Sequence, residues 1–190
     1  MKEFLPHEML THAQIYKYKY LIIPALSIVL CFFLRDAFTG SQFLSVFSLM
    51  LYFYFFYAVR FHRNFSPPNA SEVYAPINGK ITAISSTEKG TIITIQKPVH
   101  AAAEVVTCTA TDKINELAEN DRVSWKINSS HLKIFYEGEV PFQAALIGMV
   151  AWSATAEVFI PSQYEVLVIS GQNVEAGGTV LASGCSASND

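Results

Sequence analysis

A chain of 190 residues that is 51% hydrophobic, 13% aromatic and only 15% charged has room for one domain, or for one domain and an anchor, and is too apolar for a disordered polymer. Its mean hydropathy of +0.28 argues against a purely soluble domain, and its net charge of −3 excludes binding to nucleic acid through bulk positive charge. The three cysteines, Cys31, Cys108 and Cys185, form no CxxC pair, so neither a metal site nor a disulfide framework is expected.

The apolar excess lies at the start of the chain. Tyr20 to Leu34 and Ala37 to Val59 carry no charge. The second run would measure roughly 34 Å as a helix at about 1.5 Å per residue, against about 30 Å of bilayer core. The first run measures roughly 22 Å by the same rise and contains Pro24. No small-residue cleavage site precedes the second run, which argues against a signal peptide. The expected element is an α-helical membrane hairpin within residues 1–63, with helices at about 16–34 and 37–59, either crossing the bilayer or dipping into one leaflet. Lys2, Lys17 and Lys19 precede it and Arg60 and Arg63 follow it, while Asp36 offsets Arg35 in the turn. The positive-inside rule then places both ends, and everything beyond residue 60, in the cytoplasm. The cluster from Tyr52 to Tyr57 reads equally as an interfacial belt or as lipid-facing filler.

Residues 64–71 form a linker, because paired prolines at Pro67 and Pro68 do not continue a helix. Residues 72–183 read as a mainly β domain. Strands are expected at Val73–Ala75, Lys80–Ile84, Thr91–Ile95, Glu104–Thr109, Arg122–Ile127, His131–Tyr136, Ala144–Val150, Glu157–Ile160 and Glu165–Ile169, from alternation and β-branched content. Asn78-Gly79 and Lys89-Gly90 read as turns, one short helix is expected near Lys113–Glu119, and 184–190 reads as a flexible tail. The start of strand at Ala75-Pro76-Ile77-Asn78-Gly79-Lys80-Ile81, with the later Gly171-Gln172-Asn173-Val174-Glu175-Ala176-Gly177, points to a barrel-sandwich-hybrid-like domain, in which glycines permit tight turns between facing strands. A carrier domain needs a lysine at an exposed hairpin tip, and no such Met-Lys or Asp-Lys hairpin lies ahead of Gly171. No His-x-His pair is present for a lysostaphin-type peptidase.

The order of the whole chain resembles the short, compact form of phosphatidylserine decarboxylase. The resemblance rests on an apolar hairpin followed by Phe61-His62-Arg63-Asn64-Phe65-Ser66-Pro67, and on Tyr74 to Ile81. It continues through Gly148 to Pro161 and Gly171 to Ala182, and it covers residues 1–85 and 140–182. What it implies is a proenzyme that cuts itself before a serine. That serine becomes a pyruvoyl group, which forms an imine with the substrate amine and draws electrons from the decarboxylating carbon; an Asp–His pair supplies the base. The matching positions depart from this. Ala154 stands where the family has the serine, Ser153 where it has the glycine, and Asn78 and Asn64 where it has acids. Ala154 has no nucleophile, and Asn78 has no charge to hold an imidazolium.

The expectation is therefore a non-catalytic relative, a subunit or scaffold of a membrane assembly, anchored in the cell inner membrane with its β domain facing the cytoplasm. Arg60 and Arg63 are its candidate contacts to phospholipid head groups. A protein partner or a second copy is expected, and no cofactor. The alternative is a working decarboxylase making phosphatidylethanolamine, with Ser153 as nucleophile and source of the pyruvoyl group. His100 or His131 would then be the base, with Asp112 or Glu104 in place of the missing acid. Read locally, His131 is a turn residue and Ser153 a small strand residue beside a packed Trp152.

Overall fold

A computed structural model describes residues 6–34, 41–60, 69, 71–109, 117, 121–135 and 143–184. Two helices come first: α1 (Pro6–Phe33) and α2 (Ser41–Ala58). They lie against each other, and Cys31 Sγ and Ser48 Oγ, both buried, approach to 4.0 Å at the seam. Proline at position 24 is accommodated inside α1, where Ser27 Oγ donates to the Pro24 carbonyl at 2.8 Å.

The helices differ from those expected. α1 begins ten residues earlier than position 16, and α2 begins at Ser41 rather than 37. With 18 residues, α2 measures about 27 Å, short of the ~30 Å hydrocarbon layer. Among the described residues no helix is both long and apolar enough to cross a membrane, so the crossing form of the expected hairpin is not found there. The surface of the pair is nonetheless apolar on its outward faces. Ile23 is 74%, Phe33 78% and Phe43 83% exposed, and Ile22, Leu26, Leu30, Phe47, Met50 and Phe53 are exposed with them.

The remainder is β, as expected. Its strands are β1 (Glu72–Tyr74), β2 (Gly79–Thr87), β3 (Gly90–Lys97), β4 (Glu104–Val106), β5 (Ser124–Asn128), β6 (Leu132–Ile134), β7 (Leu146–Val150), β8 (Ala154–Pro161), β9 (Tyr164–Val166), β10 (Asn173–Val174) and β11 (Val180–Gly184). They form three antiparallel sheets, ordered β1-β11-β9, β10-β2-β3-β8-β5 and β4-β7-β6, curled as a half-barrel. β2 and β3 are the alternating runs of the sequence, closed at Lys89-Gly90 with Thr87 opposite Gly90. β8 has β3 on one side and β5 on the other, with Lys97 opposite Ala154 and Asn128 opposite Thr155. One core sits between the sheets. It is built on Val73, Ile77, Ile81, Ile93, Ile95, Val105, Trp125, Ile147, Val158 and Leu181, each removed from water.

Several boundaries shift. The expected Glu104–Thr109 strand ends at Val106, and Tyr164–Val166 stops before Leu167 and Ile169, which turn out to solvent. β10 and β11 carry the Gly171–Ala182 motif. Gly184 closes β11 by donating to the Ser71 carbonyl and so belongs to the domain rather than to a tail. The helix expected near Lys113–Glu119 falls almost wholly outside the described residues, as do Arg63, Asn64, Asp112 and Cys185.

A smaller apolar cluster joins helices to sheets: Val59, Ala103, Met149 and Ala151 are buried, with Tyr20, Phe135 and Trp152 packed around them. Trp152 ties the cluster to α2. Its ring centroid lies 5.2 Å from that of Tyr54 and 5.1 Å from that of Phe55, both on α2, and His131 meets it from the β6 side at 6.1 Å.

Candidate functional site

At the foot of α2 the chain turns at Val59 and Arg60, and the Arg60 carbonyl accepts from the Ala103 amide at 2.8 Å. That junction is one wall of a cavity of about 740 Å³. Its other walls are the start of β2 (Asn78, Gly79, Lys80, Thr82), the end of β3 with the loop after it (Gln96, Lys97, Pro98, Val99, His100, Ala101, Ala102), Ser153, and the 173–175 segment. The fold thus brings together Arg60, Asn78, His100 and Ser153 from four distant parts of the chain. His131 is not in the cavity. Its ring lies against Trp152, and its amide donates to Ser129 Oγ at 3.2 Å, the turn role read locally. Ala154, at the position of the family's serine, is buried as the first residue of β8.

Asn78 is a structural clamp. Its Nδ2 donates to the Ala102 carbonyl at 3.4 Å, and its Oδ1 accepts from the Ala176 amide at 3.1 Å. The side chain ties the β1–β2 connection to the loop after β3 and to the turn before β11. The bond to Ala102 needs the amide, because a carboxylate can accept from Ala176 but cannot donate.

The residue that sequence reasoning missed is Lys97. It is fully buried and donates from Nζ to the Trp152 carbonyl at 2.8 Å and to the Pro98 carbonyl at 3.4 Å. Burial pulls its amine down to about 8; the buried carboxylate of Glu104 raises it and Arg60 lowers it further. A signal for it was present in the sequence. Ile93, Ile95 and Lys97 share one phase of an alternating strand, and all three are buried.

The grip on Trp152 matters because that residue holds φ at +66°, a left-handed conformation that costs a bulky side chain about 1–2 kcal/mol. The indole packed against α2 and the lysine on the carbonyl oppose that cost. The next residue, Ser153, is exposed on the cavity wall.

The unfolded chain keeps the Lys97 proton to a higher pH than the folded chain does. Stability is therefore expected to rise from about pH 8 to about pH 10.5 as the buried amine loses its charge before the unfolded one does. Urea midpoints across that range, compared with those of Lys97→Met, check this. The extra rise belongs to the wild type only, and equal slopes in both proteins would remove the assignment.

Among the described residues no group of three or more His, Cys, Asp or Glu side chains could hold a metal ion. No family model, curated protein or solved structure matches the chain.

Proposed function

We propose that this chain is a membrane-associated relative of phosphatidylserine decarboxylase that binds phospholipid head groups without transforming them, as a subunit or scaffold of a membrane assembly. The observation that carries the reading is the position of the cavity. It is lined by Arg60, two residues past the end of α2, and so adjoins the foot of an apolar helical pair. Exposed apolar side chains on both helices far exceed the patch a soluble monomer ordinarily leaves to water. They suit a hairpin dipping into one leaflet, with both ends at the cytoplasmic face of the inner membrane. Arg60 and Lys80 outnumber Glu175 on the cavity walls, a balance that suits a phosphate diester. We read the β half-barrel as barrel-sandwich-hybrid-like, and that reading together with the decarboxylase resemblance favours the family; Asn78 engaged as an amide and the buried methyl of Ala154 support the loss of chemistry.

Short-chain phosphatidylserine is expected to raise the melting midpoint of the detergent-solubilised protein, since a ligand of the folded state stabilises it by mass action. Short-chain phosphatidylcholine should do so less. Arg60→Ala should weaken the phosphatidylserine effect about fivefold, the ~1 kcal/mol of one basic residue at an anionic surface. Equal midpoints with and without either lipid would overturn head-group binding.

One observation favours a second reading. Lys97 Nζ donates to the carbonyl that Ser153 would have to attack, and the residue bearing that carbonyl is held in a strained conformation. This suits self-processing between Trp152 and Ser153, with Lys97 steadying the oxyanion. The Ser153 hydroxyl would add to the Trp152 carbonyl and the Ser153 nitrogen would leave to give an ester; elimination would release the Trp152 carboxylate and leave a dehydroalanine, whose imine tautomer would take up water and release ammonia to leave a pyruvoyl group. The intact mass of the purified chain separates the readings. A single species of 21.1 kDa supports the first, and two fragments parting before Ser153 support the second.

A further inference from the structure

We propose that Trp152 seats the β domain in the interfacial layer of the bilayer, so that the cavity receives its head group laterally from the leaflet that holds the hairpin. This rests on the membrane association proposed above and adds to it a point of contact on the β domain, outside both helices. Trp152 lies on the connection between β7 and β8, yet its ring packs against Tyr54, tilted by 32°, and edge-on against Phe55. Those two residues stand four and five positions before Val59, inside the run without charge, or about 6–8 Å along the helix from the Val59 junction. A hairpin buried to its aromatic end carries the indole to that same depth. The ring is half-buried, apolar over its faces and polar at one edge, which is the character that draws tryptophan to membrane interfaces.

The backbone makes the placement consequential. Trp152 is held at φ +66° with its carbonyl on Lys97. The conformation directs the indole to the helices while the adjoining Ser153 lines the cavity. The side of the cavity bounded by Ser153 and Arg60 is therefore its bilayer side, and a lipid can present its phosphate there without leaving the membrane.

The chain has two tryptophans, and Trp125 is fully buried in the β core, out of reach of lipid. Full-length protein on vesicles made with phosphatidylcholine brominated high on the acyl chains should lose the Trp152 share of its emission. Bromines placed deep should quench it less, and Trp152→Phe should show no loss. Flotation of the same vesicles reports association separately. Protein that floats but is not quenched overturns the seating while leaving membrane association standing; protein that does not float overturns both. If Trp152→Phe fails to fold, the contrast between shallow and deep bromines in the wild type decides alone.

Discussion

Asn78→Asp is expected to destabilise the β domain by about 2–3 kcal/mol, although it restores the acid at the position where the resembled family has one. The amide at this site donates as well as accepts, and both partners are backbone groups in a buried setting. A carboxylate keeps the bond from the Ala176 amide. It turns its second oxygen on the Ala102 carbonyl, two acceptors face to face at the cavity wall. Protonation relieves the clash, so the loss should be smaller at pH 4 than at pH 7, in the direction of a buried acid that takes up a proton on folding. Urea midpoints at the two pH values measure it. A variant as stable as the wild type at pH 7 would mean that neighbouring cations already suit a charge there, and the argument for Asn78 as a clamp would fail.

Gly79→Ala should be more damaging, by about 3 kcal/mol or more, because the added methyl has nowhere to go. At Gly79 a Cβ would land on the backbone carbonyl of Gln96, with Ile95 Cγ2 close by, so β2 and β3 would have to part where their pairing begins. Gly171→Ala is the control. A Cβ there meets nothing within 4 Å, but φ is +89°, so only the left-handed conformation is penalised, by about 1 kcal/mol. A thermal or urea melt of the two variants should give that order; the reverse would show that the sheet yields at Gln96.

These two glycines also show what the sequence could and could not disclose. Asn78-Gly79 reads as a hairpin turn, but Gly79 is already the first residue of β2, and glycine is required there by the approach of another strand's backbone. Nothing local encodes that approach, since Gln96 is 17 positions away. Lys89-Gly90 was legible because turn and pairing are neighbours in sequence. The β character of 72–183 was legible for the same reason, as strands such as β3 carry their own alternation and others, such as β7, their own apolar run.

The helix limits were less legible. Absence of charge marks what lipid would tolerate, whereas the start of α2 at Ser41 is a matter of local backbone hydrogen bonding, and serine is a favoured residue at that end. In the site, Arg60, Asn78, His100 and Ser153 were each singled out from the sequence, and the fold places all four around one cavity. Lys97 was not. A lysine at the end of a strand reads as solvated, and its burial comes from β8 on one side and the helix–sheet junction near Arg60 and Glu104 on the other.

The place of β8 between β3 and β5 bears on how a break in this chain would look. A cut between Trp152 and Ser153 would leave β8 paired along both edges, from Ala154 to Pro161 against β3 and from Thr155 to Phe159 against β5. β7 would stay hydrogen-bonded to β4 and β6. The two pieces would then remain one particle in the manner of a split protein that never comes apart. Gel filtration and light scattering would report the uncut size, and only denaturation would release the halves.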